Sequence, residues 1–390
     1  MAAAAAARAE TPEIVPVPPH RGEEALAAGL DRYRQIQARG GWPVVPSGPT
    51  LRIGDSGPRV AALRSRLAAD PDLPADTGSA ADGDRFDGGL AQAVLTFQHR
   101  HGLDPDAAVG RATLAALNVP VERRIAQIEL NMKRLEALPA GLEGGYAAVN
   151  IADQRLMVVD GDAVALLARV IVGKPSTRTP VLASRIDSVV FNPPWNVPVS
   201  IARNEILPRL RRDPGYLARE NMIILGRPDD PYGRRIDWTT AALGQFAARL
   251  RQLPGDRNAL GRIKFEFPNP YSVYLHDTPA KALFQRTRRL FSHGCIRVEN
   301  PRALALHLLS PQGWDMARIE AAIEAGATRR VSLARPMPIV VLYLTAFADA
   351  SGAIQFRDDV YGWDAVGRTF DELRRQDVGG ATLAAAGCTS

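Results

Sequence analysis

The sequence predicts an α+β protein of several domains, in which a small helical module precedes a larger, mostly antiparallel β domain with an inserted helical subdomain. The length of 390 residues exceeds that of one ordinary compact domain. Between residues 51 and 118, apolar residues recur at the spacing of a helix. From residue 146 onward, apolar and polar residues alternate as in strands. This change of period places a domain boundary between the two stretches.

The composition is that of a globular protein with a sizeable core, since 46% of the residues are hydrophobic and 23% are charged. A net charge of +6 and a pI near 9.6 suit an anionic partner. No basic tract resembles a nucleic-acid groove, and no run of about 18 apolar residues predicts a membrane span. Residues 1–7 lack the features of a signal peptide, so we expect either no export or a sequence that begins after a removed signal.

Residues 1–50 are predicted to be a leader and linker with a short helix from Glu23 to Arg39. Residues 51–118 form the helical module, with three helices and an Asp- and Gly-rich loop over 70–89. The positions that mark the three helices are Val60, Leu63 and Leu67, then Leu90, Val94 and Phe97, then Thr113, Leu114 and Leu117. Residues 119–145 hold a connecting helix, marked by the stripe Ile125, Ile128, Met132 and Leu135.

The β domain is predicted over residues 146–345. Its strands are expected at 149–151, 156–159, 164–172, 186–191, 262–267, 271–275 and 339–346, with a hairpin at 160–161. An Arg- and Pro-rich segment at about 193–252 is too long for a loop, so we predict an inserted capping subdomain with helices over 201–211 and 241–251. Residues 346–390 are predicted to be a C-terminal extension and flexible tail.

Two segments carry the residues that can do chemistry. One ends a predicted strand at His276 and continues with Asp277, and the other holds Cys295. A thiol becomes nucleophilic when an imidazole takes its proton, and the imidazole can later return that proton to a leaving amine. We therefore predict Cys295 as the nucleophile and His276 as its base, oriented by a backbone carbonyl or a carboxylate near Asp277.

Neighbouring residues fit supporting roles in such a site. Gly294 lets the backbone approach closely, and the amides around Cys295 are candidates for an oxyanion hole. Arginines are candidates for binding substrate carboxylates; they are Arg297, Arg286, Arg288 and Arg289.

Other interpretations of these residues stay open. Lone cysteines and histidines are usually inert, although two of the six histidines, His276 and His293, lie in this region. Zinc ligation by His276, His293 and Cys295 lacks an HExxH or CxxC motif, and we predict no metal site. A Cys295–Cys388 disulfide would remove the nucleophile; we expect that Cys388 is instead a tail thiol without a role.

The two segments together resemble the catalytic motif of the L,D-transpeptidases of the YkuD type, in which a histidine precedes Ser/Thr-His-Gly-Cys. Here fifteen residues separate His276 from Ser292-His293-Gly294-Cys295-Ile296-Arg297. The stretches 192–198 and 258–279 resemble the larger periplasmic members, whose catalytic domain carries a capping insertion. Residues 51–118 resemble a three-helix peptidoglycan-binding domain.

The resemblance implies a reaction in which Cys295 attacks the carbonyl of the third residue of a donor tetrapeptide stem. The terminal D-alanine then leaves with a proton from His276, and the amine of an acceptor stem resolves the acyl-enzyme into a 3→3 cross-link. His293 would shape the site or the oxyanion hole and not act as the base, and Ser292 would contact substrate. The remaining residues expected to line the cleft are Tyr271, Trp195 and Asn196.

The same resemblance implies no cofactor, peptidoglycan stems and glycan as partners, carbapenem β-lactams as inhibitors, and a periplasmic location. Two alternatives remain beside the transpeptidase. Water or another acceptor would make the protein an L,D-carboxypeptidase or an exchange enzyme that uses the same thiol. An inactive motif would leave a scaffold that binds the cell wall.

Overall fold

The computed structural model describes residues 14–70, 83–142, 144–239 and 249–379. The chain divides into two compact units. The first unit comprises Met1–Met132 and Ala346–Phe356, and the second comprises Lys133–Thr345 and Arg357–Ser390. No helix among the described residues is both long and apolar enough to cross a membrane.

The helices fall into three stretches of the chain. The N-terminal ones are α1 (Pro19–Ala38), α2 (Pro58–Ala68), α3 (Gly88–Arg100), α4 (Arg111–Leu117) and α5 (Val121–Glu136). The central ones are α6 (Val199–Ile201), α7 (Leu207–Leu210) and α8 (Tyr216–Arg219), with a π-helical turn at Ala202–Ile206 between α6 and α7. The C-terminal ones are α9 (Pro301–Leu309), α10 (Met316–Glu324) and α11 (Phe370–Gly379), and short 3₁₀ turns lie at Lys281–Gln285 and Ser310–Gln312.

The strands are numbered in chain order. Those before the inserted segment are β1 (Tyr146–Asn150), β2 (Arg155–Asp160), β3 (Ala163–Gly173) and β4 (Leu182–Phe191). Those within it are β5 (Trp195–Asn196), β6 (Met222–Ile224) and β7 (Leu250–Gln252). Those after it are β8 (Ile263–Glu266), β9 (Leu275–His276), β10 (Leu290–Ser292), β11 (Ile296–Val298), β12 (Arg329–Leu342), β13 (Ala346–Ala348) and β14 (Ile354–Phe356).

In the first unit, α2, α3 and α4 surround one apolar core that includes the positions predicted to mark the first two helices. Helix α3 begins where the Asp87 side chain accepts a hydrogen bond from the backbone N–H of Leu90, at 2.7 Å. The hairpin β13–β14 belongs to this unit, although residues 346–356 were predicted to be part of a C-terminal extension. Buried Arg100 joins the hairpin to α3, because its Nε donates to the carbonyl of Ile354 at 3.1 Å.

The second unit is built on a nine-stranded sheet in the order β10-β3-β11-β9-β8-β4-β12-β1-β2. Strand β2 also pairs with β3, so the sheet closes on itself with β10 beside β3. Six of the nine pairings among the described strands of this sheet are antiparallel, and β1–β12, β10–β3 and β9–β11 are parallel. The mostly antiparallel sheet agrees with the alternating pattern of the sequence.

The inserted segment lies between β4 and β8 and has a core of its own. Its three short strands form a separate antiparallel sheet in the order β5-β7-β6. The predicted helix over 201–211 corresponds to the π-helical turn and α7. The predicted helix over 241–251 is wrong at its end, because Leu250–Gln252 is strand β7 and pairs with both neighbours; residues 240–248 lie outside the described residues.

The strand predicted over 271–275 is also shorter than expected. Only Leu275 and His276 pair as a strand, because the Asn269 side chain accepts hydrogen bonds from the backbone N–H groups of Tyr271 and Val273 and holds a turn there. Ser272 lies in the left-handed region at φ 54°, which breaks the extended run. The turn leaves His276 at the end of β9.

Candidate active site

Strand pairing brings the two predicted catalytic segments together. Strands β9 and β11 are parallel neighbours, and in their register Arg297 lies opposite His276. The backbone N–H of Ile296 donates to the carbonyl of Tyr274 at 3.1 Å. Cys295 stands between β10 and β11, directly before Ile296, which lies opposite Leu275, so Cys295 lies beside the start of β9.

His276 is buried, with 4% of its surface exposed, and its ring is held by the backbone. Nδ1 lies 2.5 Å from the carbonyl oxygen of Asp277. Because a carbonyl oxygen can only accept, Nδ1 carries the proton and Nε2 keeps its lone pair for a substrate or a thiol. This geometry selects the carbonyl from the two orienting groups that the sequence left open.

The carboxylate of Asp277 has a different task. It accepts hydrogen bonds from the backbone N–H groups of Arg262 and Thr278, at 2.9 and 2.7 Å, and from Lys281 Nζ at 2.6 Å. Gly261 makes this possible, since a Cβ there would lie 2.4 Å from the Asp277 carboxyl group. The side chain of Asp277 therefore fixes the segment whose carbonyl holds His276.

Burial lowers the pKa of His276 to about 3. Burial is the largest cause of this low pKa; the positive charges of Arg297 and Lys264 act in the same direction, and backbone hydrogen bonds to Asp277 and Leu260 act against it. The imidazole is therefore neutral at physiological pH and is competent to accept a proton.

The loop that carries Cys295 is fixed from both sides. The N–H of Gly294 donates to Ser292 Oγ at 3.1 Å, and φ of Gly294 is 118°, a conformation that side-chain-bearing residues rarely adopt. The carbonyl of Gly294 accepts from Thr179 Oγ1 at 2.8 Å. Because the Gly294 N–H is engaged by Ser292, it is not a ready donor for an oxyanion.

Thr179 belongs to a hydrogen-bond network that the sequence did not reveal. Its backbone N–H donates to the hydroxyl of Tyr361 at 3.2 Å, and that hydroxyl donates to the carbonyl of Gly173 at 2.6 Å. Tyr361 lies 66 positions beyond Cys295 in the chain. No local pattern points to Thr179 or Tyr361, because these contacts arise only when distant segments pack together.

A cavity of about 300 Å³ opens above Cys295. On the sheet side it is lined by predicted site residues, namely His276, Ser292, His293, Cys295 and Arg297. On the other side it is lined by the inserted segment, including Trp195, Glu205, Arg209, Tyr216 and Glu220. Cys295 is 6% exposed, so access to its sulfur is through this cavity.

Two side chains near Cys295 in the sequence, His293 and Arg297, interact with the carboxylate of Glu205. His293 Nε2 lies 2.6 Å from Oε1 of Glu205, a residue that the sequence did not single out. Burial lowers the pKa of the Arg297 guanidinium, and the charge of Glu205 acts against that shift. Arg297 Nε is buried and has no hydrogen-bond partner among the described residues.

Other predicted residues lie elsewhere. Tyr271 is absent from the residues that line the cavity, because the turn at Asn269 directs its hydroxyl to the carbonyl of Arg374. Asn196 is also absent from the lining, and its Oδ1 accepts from Arg251 Nε at 2.7 Å. Arg289 is engaged by backbone carbonyls such as that of Gln154, and Arg286 and Arg288 do not line the cavity.

The sulfur of Cys295 is disulfide-bonded, contrary to the expectation of a thiol outside any disulfide. Two cysteines suffice for one bond, and the sequence alone does not tell whether they meet. The chain's other cysteine, Cys388, lies outside the described residues. Chemistry at Cys295 therefore begins with its reduction to the thiol.

The zinc alternative gains no support from the geometry. Within the described part of the chain, His276, His293 and Cys295 do not come together as a group of metal ligands, and neither does any other set of three histidine, cysteine or acidic residues.

Family models match the two units that the structure separates. Residues 144–319 match the model described as the L,D-transpeptidase catalytic domain, YkuD. The β domain is therefore similar to L,D-transpeptidase catalytic domains. Residues 56–117 match a second model, described as "Putative peptidoglycan binding domain". The transpeptidase match includes the inserted segment and every predicted catalytic residue, and the second match covers α2 to α4.

A relative from Haemophilus influenzae, named "Putative L,D-transpeptidase", is 38% identical over 248 residues, which are 62% of this chain and 49% of that protein. The chain thus spans about half the length of this relative. The solved L,D-transpeptidase (Yku) from Stackebrandtia nassauensis is 15% identical over 77% of this chain and 96% of that one, with a TM-score of 0.29. The solved L,D-transpeptidase from Xylanimonas cellulosilytica is 17% identical over 76% and 99%, with a TM-score of 0.23.

Proposed function

We propose that the protein is a cysteine-dependent L,D-transpeptidase that forms 3→3 cross-links between peptidoglycan stem peptides. The observation that carries the proposal is that the neutral, carbonyl-held His276 and Cys295 lie on neighbouring strand segments and line one cavity. The transpeptidase domain match sets the reaction class. The peptidoglycan-binding match supports the cell wall as the place of action and a periplasmic location.

The first half-reaction forms a thioester. His276 Nε2 takes the proton of the reduced Cys295 thiol as the sulfur attacks the carbonyl carbon of the third residue of the donor stem. The bond to the terminal D-alanine breaks, and its nitrogen leaves with the proton from His276. Because burial disfavours the imidazolium, the proton is held by His276 only while the bond to sulfur forms and the amine departs.

The second half-reaction returns the thiol. The side-chain amine of an acceptor stem attacks the thioester carbonyl, its proton passes through His276 Nε2, and the sulfur leaves to regain a proton. The product is an amide between two third residues, which is the 3→3 cross-link.

Arg297 supports recognition of the donor. The terminal D-alanine carries a carboxylate close to the scissile bond, and the guanidinium of Arg297, which lines the cavity, suits that anion. Trp195 adds an aromatic surface on the wall formed by the inserted segment, which acts in this proposal as a cap over the donor.

The alternative L,D-carboxypeptidase or exchange enzyme uses the same acyl-enzyme and differs only in the acceptor. An inactive wall-binding scaffold is less favoured, because His276, Cys295 and Arg297 share one cavity.

The deciding experiment incubates reduced protein with purified tetrapeptide stems, alone and with an excess acceptor stem, and identifies products by mass spectrometry. Dimers with a 3→3 bond support the transpeptidase, and tripeptides alone support the carboxypeptidase. Unchanged stems would overturn both and leave the scaffold.

Carbapenems provide a direct probe of the first step. They are expected to acylate the reduced Cys295 with one equivalent, which intact-mass measurement detects. Failure of the reduced, folded protein to gain this mass would remove the main support for thiol chemistry.

A further inference from the structure

The inserted segment sends one carboxylate to the loop that carries Cys295. Between α6 and α7 the chain forms the π-helical turn Ala202–Ile206, and Glu205 is part of it. Such turns are rare and occur frequently at functional sites, because the extra residue reorients the side chains that follow. Glu205 Oε1 lies 2.6 Å from Nε2 of His293.

Glu205 interacts with a residue on each side of Cys295 in the chain. His293 and Arg297 lie two residues before and two residues after Cys295. Glu205 contacts His293 directly, and its charge offsets that of Arg297, whose guanidinium is partly buried. One carboxylate thus faces the two charged or polar side chains that bracket the sulfur.

The contact contributes little to stability. The side chains of Glu205 and His293 are 38% and 26% exposed, and ion pairs of that exposure stabilise a fold only slightly. Its consequence is geometric, since a carboxylate that accepts from Nε2 fixes one orientation of the His293 ring. The backbone of the same loop is already held by Thr179 and Ser292, so the contact with Glu205 acts on the side chain of His293.

We propose that Glu205 is a positioning residue for the thioester-forming step, acting through His293. This inference rests on the proposed function and deepens it, because it assigns the inserted segment a part in the chemistry besides covering the donor. Glu205 holds the His293 ring against the inserted segment. The cavity beside Cys295 thereby keeps one shape as the donor carbonyl approaches the sulfur.

The test measures acylation of reduced protein by a carbapenem, with separate determination of the maximal rate constant and the half-saturating concentration. Glu205→Ala is expected to lower the rate constant about tenfold, the loss of one charge-assisted hydrogen bond, with the half-saturating concentration changed by less than about twofold. Glu205→Gln keeps an acceptor for Nε2–H and is expected to retain most of the rate. Thermal unfolding of both variants should stay within a few degrees of wild type.

A double-mutant cycle separates positioning from a general loosening of the inserted segment. In a His293→Ala background, Glu205→Ala should cost less than about a further twofold, because its partner is already gone. Asp229→Asn removes an exposed carboxylate of the same segment outside the cavity lining and serves as the matched control, with unchanged rates expected.

The outcomes are distinct. Additive effects of Glu205→Ala and His293→Ala, or a wild-type rate for Glu205→Ala, would overturn the inference while leaving the proposed function intact. A raised half-saturating concentration at an unchanged rate constant would also overturn it, since Glu205 would then bind the ligand directly. Reduced wild type without any acylation would overturn the proposed function and the inference with it.

Discussion

The two walls of the cavity differ in how their side chains are held. On the sheet wall, His276 and Arg297 lie on paired strands and the Cys295 loop is fixed by backbone hydrogen bonds. On the wall of the inserted segment, Trp195 and Glu205 lie on a two-residue strand and a five-residue turn. A side chain on the sheet can therefore move only if several paired strands open, whereas a side chain on the short elements can move after a smaller local opening.

Under the proposed function, this difference separates chemistry from recognition. Proton transfer between sulfur and imidazole needs a fixed geometry, which the hydrogen-bonded sheet edge provides. A wall of short elements with a separate core can adapt to the donor without disturbing that edge. In this arrangement the contact between Glu205 and His293 is the point at which the adaptable wall meets the fixed one.

The largest expected effect tests whether the reduced thiol of Cys295, on the sheet wall, is the group that is acylated. Unreduced protein should gain no mass from a carbapenem, because a disulfide sulfur offers no thiolate. After treatment with a dithiol the protein should gain one equivalent, and Cys295→Ala should gain none under either condition. Intact-mass spectrometry provides the measurement.

Cys388→Ser is the matched control, because it leaves Cys295 as the only cysteine of the chain. This variant is expected to react without added reductant. Acylation of unreduced wild type, mapped to Cys295 by peptide analysis, would contradict the requirement for reduction.

The next effect concerns the base on the same wall. His276→Gln should lower the rate of acylation by about a hundredfold to ten-thousandfold, since glutamine fills similar space and cannot take the proton. His307→Gln makes the same replacement at the surface of α9, where the ring lies 3.6 Å from Asp160, and should leave the rate unchanged. Equal rates for the two variants would show that another group removes the thiol proton.

The two walls also differ in what the sequence could reveal. His276 and Cys295 were singled out from their spacing, which is a local pattern, and both line the cavity. The alternation of residues also placed His276 at a strand end, where the structure has it. Glu205, Thr179 and Tyr361 left no such signal, since their contacts join segments that are far apart in the chain. Long-range packing of this kind is fixed by the fold and not by residue type.

The errors in the predicted fold have local causes. Alternating residues over 271–275 indicated a strand, but the Asn269 side chain captured two backbone N–H groups and formed a turn. Tyr271 was displaced from the cavity as a result. The β13–β14 hairpin was predicted as part of an extension because nothing in its own residues indicates that it groups with the first unit.

A smaller effect tests recognition on the border of the two walls. Arg297→Met should raise the KM for a donor tetrapeptide about tenfold to a hundredfold, the loss of a charge-assisted bond to the terminal carboxylate. The variant should keep His276 as a working base, because the charge of Arg297 lowers the pKa of His276 and its removal makes the imidazole a better proton acceptor. A donor whose terminal carboxylate is amidated serves as the control. Wild type and variant should show similar KM values with it, and a persistent difference would argue against a carboxylate site at Arg297.

The smallest effect uses the buried base to test how well the sheet wall excludes water. The pKa of His276 is about 3 in the folded protein and lies near 6.5 in the unfolded chain, so the unfolded state binds more protons between these values. Folding stability contributed by neutral His276 is therefore present above pH 6.5 and is lost as the pH falls. Between pH 7 and 5 wild type should lose about 2 kcal/mol more than His276→Gln, as measured by urea unfolding at each pH. Other titrating groups are common to both proteins and cancel in this difference. Parallel stability curves for the two proteins would show that water reaches the imidazole, and the fixed wall would then be less closed than its hydrogen bonds indicate.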